Sequence, residues 1–190
     1  MSYYLISGGP GAGKSTLLAA LAQQGYACAP EVSRELIQEQ VALSSDLVPW
    51  QNLAGFAELA LARMKAQHEQ ARQRGGTTFF DRGIPDIIAY LEVGGVPVAD
   101  AYYHAVQQHS YHKEVLMAPP WPAIYANDAE RWQTFAEAVQ LYKALCSTYE
   151  RLGFQLIELP LTSVANRVDF VQEWLSAGQV LKVNQDKHLL

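Results

Sequence analysis

The chain has 190 residues, 49% hydrophobic and 17% charged, which fits one globular domain with a sizeable core and excludes disordered and fibrous classes. Its 14 basic and 19 acidic side chains give a formal charge of −5, which argues against nucleic acid as the main partner, because phosphate backbones need a basic face. Cys28 and Cys146 make neither a metal spacing nor a disulfide framework. No basic region followed by an apolar stretch opens the chain, so no signal peptide is expected. The longest uncharged run, Ser15 to Pro30, falls short of the roughly 18 residues a membrane span needs. A cytoplasmic protein without membrane contact is the expectation.

Tyr3–Ser7 reads as a first strand. Directly after it stands Gly8-Gly9-Pro10-Gly11-Ala12-Gly13-Lys14-Ser15-Thr16, which fits the phosphate-binding pattern G-x-x-x-x-G-K-[ST] between a strand and a helix. Glycines let consecutive backbone N–H groups curl around phosphates, and the helix opening near Lys14 adds its positive end. Lys14 can reach the β/γ-phosphates and Ser15 can ligate Mg²⁺. The motif thus implies a bound nucleoside triphosphate, ATP being the first candidate.

The helix that follows, Lys14–Gln24, closes at Gly25, and Tyr26–Ala29 reads as a short second strand. A helix begins near Val32, and a longer one runs from about Trp50 to Arg74. In it Leu53, Phe56, Ala57, Ala60, Leu61 and Met64 recur at helical spacing before Gly75-Gly76 ends it. Thr77–Phe80 is a third strand with Asp81 at its carboxyl end. Ile84–Val93 and Ala99–Gln108 read as helices, and Lys113–Met117 as a fourth strand. A loop with three prolines and Trp121 follows. Arg131–Arg151 is a helix, Phe154–Leu159 a fifth strand and Ser163–Leu175 a last helix. One domain over residues 1–177 and a loose tail over 178–190 is the expected organisation.

Strands alternating with helices predict a parallel α/β sheet, and such sheets bind ligands at the carboxyl ends of their strands. The phosphate loop, Glu31, Asp81-Arg82 and the Pro-rich loop over about residues 118–131 all fall there. Asp81 is a candidate Mg²⁺ carboxylate, directly or through water, or else a helix N-cap. Glu31 is a candidate proton acceptor from an attacking hydroxyl, or a solvated first-turn acid that Arg34 pairs with. Arg82 could touch substrate or simply pair with a surface carboxylate. Asp86 reads as a first-turn dipole partner. In the Pro-rich loop Arg131 is a candidate lid arginine, with Asp128 beside it, or Asn127 and Asp128 merely cap the next helix. His104, His109 and His112 read as a solvated helix end rather than a zinc site. Trp50 and Phe56 could stack on a flat ring or belong to the core. Thr162–Arg167 is placed to recognise a base.

With the phosphate loop, Pro30-Glu31-Val32-Ser33-Arg34-Glu35, Phe80-Asp81-Arg82-Gly83-Ile84-Pro85-Asp86 and the Pro-Pro-Trp loop together, the chain resembles a family of small AAA-labelled ATPase/kinase-like proteins. That family is related to nicotinamide-riboside kinase domains and more distantly to deoxyribonucleoside kinases. The resemblance spans about residues 2–176. It implies a three-layer P-loop NTPase fold with a five-stranded parallel sheet and helices on both faces. It also implies that Lys14, Ser15 and Thr16 serve nucleotide and Mg²⁺, that Glu31 is base or substrate ligand, that Asp81 and Arg82 form the acidic-Arg pair, and that Arg131 is a lid arginine. The sequence departs from the nucleoside kinases in having one obvious lid arginine where many have several. It shows neither a second arginine-finger region nor a C-terminal helical subdomain for ring assembly.

The leading expectation is a Mg²⁺-dependent, ATP-using phosphotransferase acting on a small hydroxyl-bearing acceptor. A regulatory ATPase without an acceptor and a non-catalytic nucleotide sensor stay open. The oligomeric state has no signature in the sequence.

Overall fold

A computed structural model describes residues 1–125 and 134–187, with side chains described as far as residue 177. The strands are β1 (Ser2–Gly8), β2 (Ala27–Ala29), β3 (Thr77–Asp81), β4 (Glu114–Ala118) and β5 (Gln155–Glu158). The helices are α1 (Lys14–Gln23), α2 (Val32–Ala42), α3 (Leu53–Arg74), α4 (Ile84–Val93), α5 (Asp100–Gln108), α6 (Phe135–Arg151) and α7 (Val164–Lys187), with a short 3-10 turn at Pro122–Ile124. The five strands form one all-parallel sheet in the order β2-β3-β1-β4-β5.

β1 occupies the centre, and the sequence says why. Leu5 and Ile6 point to opposite faces and both are fully buried, as a strand covered by helices on both sides requires. On one face Tyr4, Ile6, Phe79 and Leu116 pack against α1 and α7 through Leu17, Leu21 and Val171. On the other, Leu5, Phe80, Val115 and Met117 meet α6 through Leu141, Leu145 and Tyr149. A further cluster joins α2, α3, α4 and α5 around Leu36, Phe56, Ile84 and Ile88. The expected three-layer α/β architecture is therefore the observed one.

Helix ends follow their local chemistry. α4 opens with Pro85 in its first turn, and the Asp86 carboxylate accepts the backbone N–H of Gly83 at 2.9 Å. α6 opens on a reciprocal pair: Thr134 N–H donates to Glu137 at 2.6 Å, and Glu137 N–H donates to the Thr134 hydroxyl at 3.3 Å. Thr134 thus caps α6, which begins at Phe135, while Asn127, Asp128 and Arg131 lie outside the described residues. Likewise Asn52 caps α3 by accepting from Gly55 N–H, so Trp50 precedes that helix and does not lie on it. α7 carries helical backbone through Lys187, past the point where a loose tail was expected.

In the histidine segment His104 is exposed, as the reading of a solvated helix end expected, but His109 and His112 are not. His109 is half-buried and meets His68 edge-on at 5.2 Å, and His112 lies 4.7 Å from the Tyr4 ring. Aromatic packing holds both. Among the described residues no group of three or more His, Cys, Asp or Glu side chains is arranged for a metal, and no helix is long and apolar enough to cross a membrane.

Candidate active site

The phosphate loop leaves the end of β1 and turns into α1 through Gly13, whose φ of +81° lies in the left-handed region that a Cβ disfavours. Lys14 is 5% exposed, and its ammonium donates to the Gly9 carbonyl at 2.9 Å, folded back over the loop. Burial and the nearby Arg82 charge lower its pKa, while Asp81, Glu31 and Asp86 oppose that shift. The loop backbone from Pro10 to Thr16 lines a cleft of about 1190 Å³, large even for a site that takes a drug-sized ligand.

Over the loop lies the described part of the Pro-rich segment. The Tyr125 ring covers Gly11, so close that a Cβ there would stand 2.8 Å from it, and Ile124 lies beside Gly13. Arg131, Asp128 and Asn127 fall outside the described residues.

The fold brings Ser15 and Asp81 together beside the phosphate loop. The Ser15 hydroxyl donates to one Asp81 oxygen at 2.8 Å, and the other carboxylate oxygen is buried with no hydrogen-bond partner among the described residues. Asp81 is therefore no helix cap. Burial raises its pKa and Glu31 adds to the effect, against the attraction of Lys14 and Arg82. Mg²⁺ is a hard cation that binds through one or two carboxylates plus phosphate oxygens. A hydroxyl beside an orphaned carboxylate oxygen at the phosphate loop fits that ion, and Ser15 and Asp81 would hold it.

Arg82 follows in an unusual backbone state, φ +70°, with its N–H bonded to the Ile6 carbonyl at 2.9 Å. This turn sends the guanidinium inward. It is 5% exposed, donates to Glu31 at 2.8 Å and to Asp86 at 3.2 Å, and lies 5.3 Å over the Tyr90 ring. The surface pairing considered for Arg82 does not occur. Burial disfavours an ionised Glu31, but Arg82, Lys14 and Arg34 outweigh it and hold the carboxyl at about 2. Glu31 is thus a carboxylate at any physiological pH, set at the wall of the cleft.

Sequence reasoning undervalued Asp86. It is 1% exposed and accepts four hydrogen bonds, from Ser7 at 2.7 Å, Tyr149 at 2.6 Å, Gly83 N–H at 2.9 Å and Arg82 at 3.2 Å. The Arg82–Asp86 spacing of four was a visible hint. Ser7 and Tyr149 were not, since they come from a strand and a helix far away in the chain.

Beyond Glu31 the cleft changes character. Ile37, Val41, Trp50, Phe56, Ile87 and Tyr90 line it between α2, α3 and α4, with Gln38 and Arg34 as polar neighbours. Trp50 remains 50% exposed and Val41 57%. Phe56 is buried, and its side chain forms both core and cleft wall. Thr162, Ser163, Val164 and Arg167 close the opposite, phosphate-loop end.

A central strand, a phosphate loop and converging carboxylate and arginine side chains define a P-loop nucleotide-binding protein of kinase-like architecture. The chain belongs to the family described as AAA domain, whose model matches residues 3–167. No curated protein sequence matches it. Among solved structures it is similar to deoxyadenosine kinase from M. mycoides with dCMP and a flexible dCDP bound, at a TM-score of 0.66 and 17% identity, covering 92% of this chain and 99% of that one. The dATP complex of the same enzyme gives 0.58 and 16%, covering 93% and 100%. Thymidylate kinase from Ehrlichia chaffeensis gives 0.58 and 15%, covering 92% and 98%. At these identities the likeness is one of fold, and it agrees with the kinase-like resemblance of the motifs.

Proposed function

We propose that the protein is a Mg²⁺-dependent phosphotransferase that moves the γ-phosphoryl group of ATP to the hydroxyl of a small, nucleoside-like acceptor. The observation that carries this reading is the position of Glu31, an ionised carboxylate held by Arg82 between the phosphate loop and an apolar lobe. Hydrolysis alone needs no such lobe.

In this reading Lys14 and the amides of Gly11–Thr16 hold the β/γ-phosphates. Bound Mg²⁺, at Ser15 and Asp81, would neutralise charge on the phosphate oxygens. The acceptor hydroxyl hydrogen-bonds to Glu31. Its oxygen forms a bond to the γ-phosphorus as the bond to the β-bridging oxygen breaks, and its proton passes to Glu31. A carboxylate titrating at about 2 is a weak base. That suits a loose transition state, in which the proton leaves late and orientation matters more than deprotonation. Arg82 keeps the carboxylate aimed, and Arg131 is the lid cation of this mechanism. A cytosolic setting, with abundant ATP, accompanies the proposal.

The test is incubation of the protein with ATP, Mg²⁺ and a pool of nucleosides and small alcohols, read by mass spectrometry. One neutral acceptor should gain a phosphoryl group, and Glu31→Gln should slow that transfer about 10²- to 10³-fold. Steady ATP loss with no phosphorylated product, unaffected by Glu31→Gln, would replace this reading with that of an ATPase.

A further inference from the structure

We infer that Arg167 is a second cation for the nucleotide's phosphates, supplied from the first turn of α7; the inference rests on the nucleotide-binding reading above. Arg167 is 2% exposed. Its Nε donates to the Pro160 carbonyl and its Nη1 to the Ala12 carbonyl, each at 2.8 Å, and its guanidinium carbon lies 5.2 Å from the centre of the Trp121 ring. Among the described residues its buried Nη2 has no partner. Two of five donors are therefore used, both by neutral groups.

The contrast with Arg82 decides the matter. Arg82 is just as buried but has two carboxylates, Glu31 and Asp86. Among the described residues Arg167 pairs with none. A buried cation without a counter-charge bears a desolvation cost that neutral acceptors offset only in part. Burial accordingly pulls the Arg167 pKa below its ordinary value. Such a charge persists where a ligand supplies the missing anion.

Position names that anion. Nη1 lies 3.1 Å from where a Cβ on Gly13 would stand, and the side chain lines the cleft together with Gly11–Thr16. The group this loop is shaped to receive is a polyphosphate, whose oxygens match a planar guanidinium fork. A residue from the last helix thus adds positive charge where the sequence offered one obvious lid arginine. The guanidinium also links the loop carbonyl at Ala12 to Trp121, which orders the fork before a ligand arrives.

Calorimetric titration of ATP, GTP and inorganic tripolyphosphate, with Mg²⁺, into wild type, Arg167→Gln and Arg167→Lys tests this. Arg167→Gln should weaken all three about ten- to hundredfold, the range of a charged hydrogen bond, and flatten the salt dependence. Arg167→Lys should keep tripolyphosphate affinity within about fivefold, because charge remains. A loss confined to ATP or GTP, sparing tripolyphosphate, would make Arg167 a base reader and overturn the inference. Unchanged affinities with only a lower unliganded melting temperature would make it a strut and overturn it too. If Arg167→Gln does not fold, Arg167→Lys decides: a tripolyphosphate loss as large as that of Lys14→Ala counts against the role. Wild type that binds none of the three ligands would instead overturn the nucleotide-binding reading itself.

Discussion

The two ends of the cleft are built on opposite principles. At one end Asp81, Arg82 and Asp86 are buried, Glu31 is partly so, and four elements contribute to one hydrogen-bonded network: Ser7 from β1, Arg82 and Asp86 at the start of α4, Tyr149 from α6 and Glu31 before α2. The lobe between α2 and α3 holds apolar side chains, half-exposed at Trp50, with few hydrogen bonds to fix them. Networks of the first kind fail together when one member is lost, whereas apolar surfaces tolerate exchange. Under the proposed function, the chemistry would be concentrated in the rigid end and the choice of acceptor in the adaptable one.

The largest expected effect breaks the rigid end. Asp86→Ala strands Ser7, Tyr149 and Arg82 without their acceptor inside the protein, so stability should fall by about 3–5 kcal/mol in urea unfolding. A loss under about 1 kcal/mol would mean the network is dispensable.

Acid should act on the same network. The Glu31 carboxyl titrates at about 2 in the fold against an ordinary 4.5. A depressed carboxyl contributes stability that is present above the unfolded value and lost as pH falls through the folded one. Between pH 4.5 and 2 the wild type should therefore lose stability more steeply than Glu31→Gln, a difference that unfolding curves at stepped pH would expose.

Gly11→Ala probes the seam where the Pro-rich loop meets the phosphate loop. A Cβ at φ +73° and 2.8 Å from Tyr125 should cost about 1–2 kcal/mol and weaken ATP binding. The double change with Tyr125→Ala should recover part of the loss if the ring is the obstacle.

Smallest of all, Trp50→Ala should leave stability within about 0.5 kcal/mol, as at other exposed positions. It should raise the acceptor KM several-fold with kcat nearly unchanged, the pattern of uniform binding. A drop in kcat alone would move Trp50 from the adaptable end to the rigid one.

What could be read from the sequence divides along the same line. The phosphate loop was legible because its chemistry is local: glycines, Lys14 and Ser15 sit at fixed spacing between one strand and one helix. Asp81-Arg82 was legible as a position, the end of an apolar strand. Its partners were not. Tyr149 reaches Asp86 across 63 residues and Arg167 reaches Ala12 across 155, distances over which spacing carries no information. Trp50 was placed on a helix because apolar spacing says nothing of the Asn52 cap that starts the helix later. His109 and His112 looked solvated because their aromatic neighbours come from other elements.

The central place of β1 has a consequence for motion. β1 is hydrogen-bonded on both sides, to β3 and to β4, and Leu5 and Ile6 are sealed on both faces. Such a strand opens only when the whole domain opens, so its amides should be among the slowest to exchange with deuterium. The phosphate loop is therefore moored to the part of the molecule that yields last. An edge strand such as β2, paired on one side only, should exchange sooner, and in the proposed function this would let an acceptor enter or leave while the grip on the nucleotide holds.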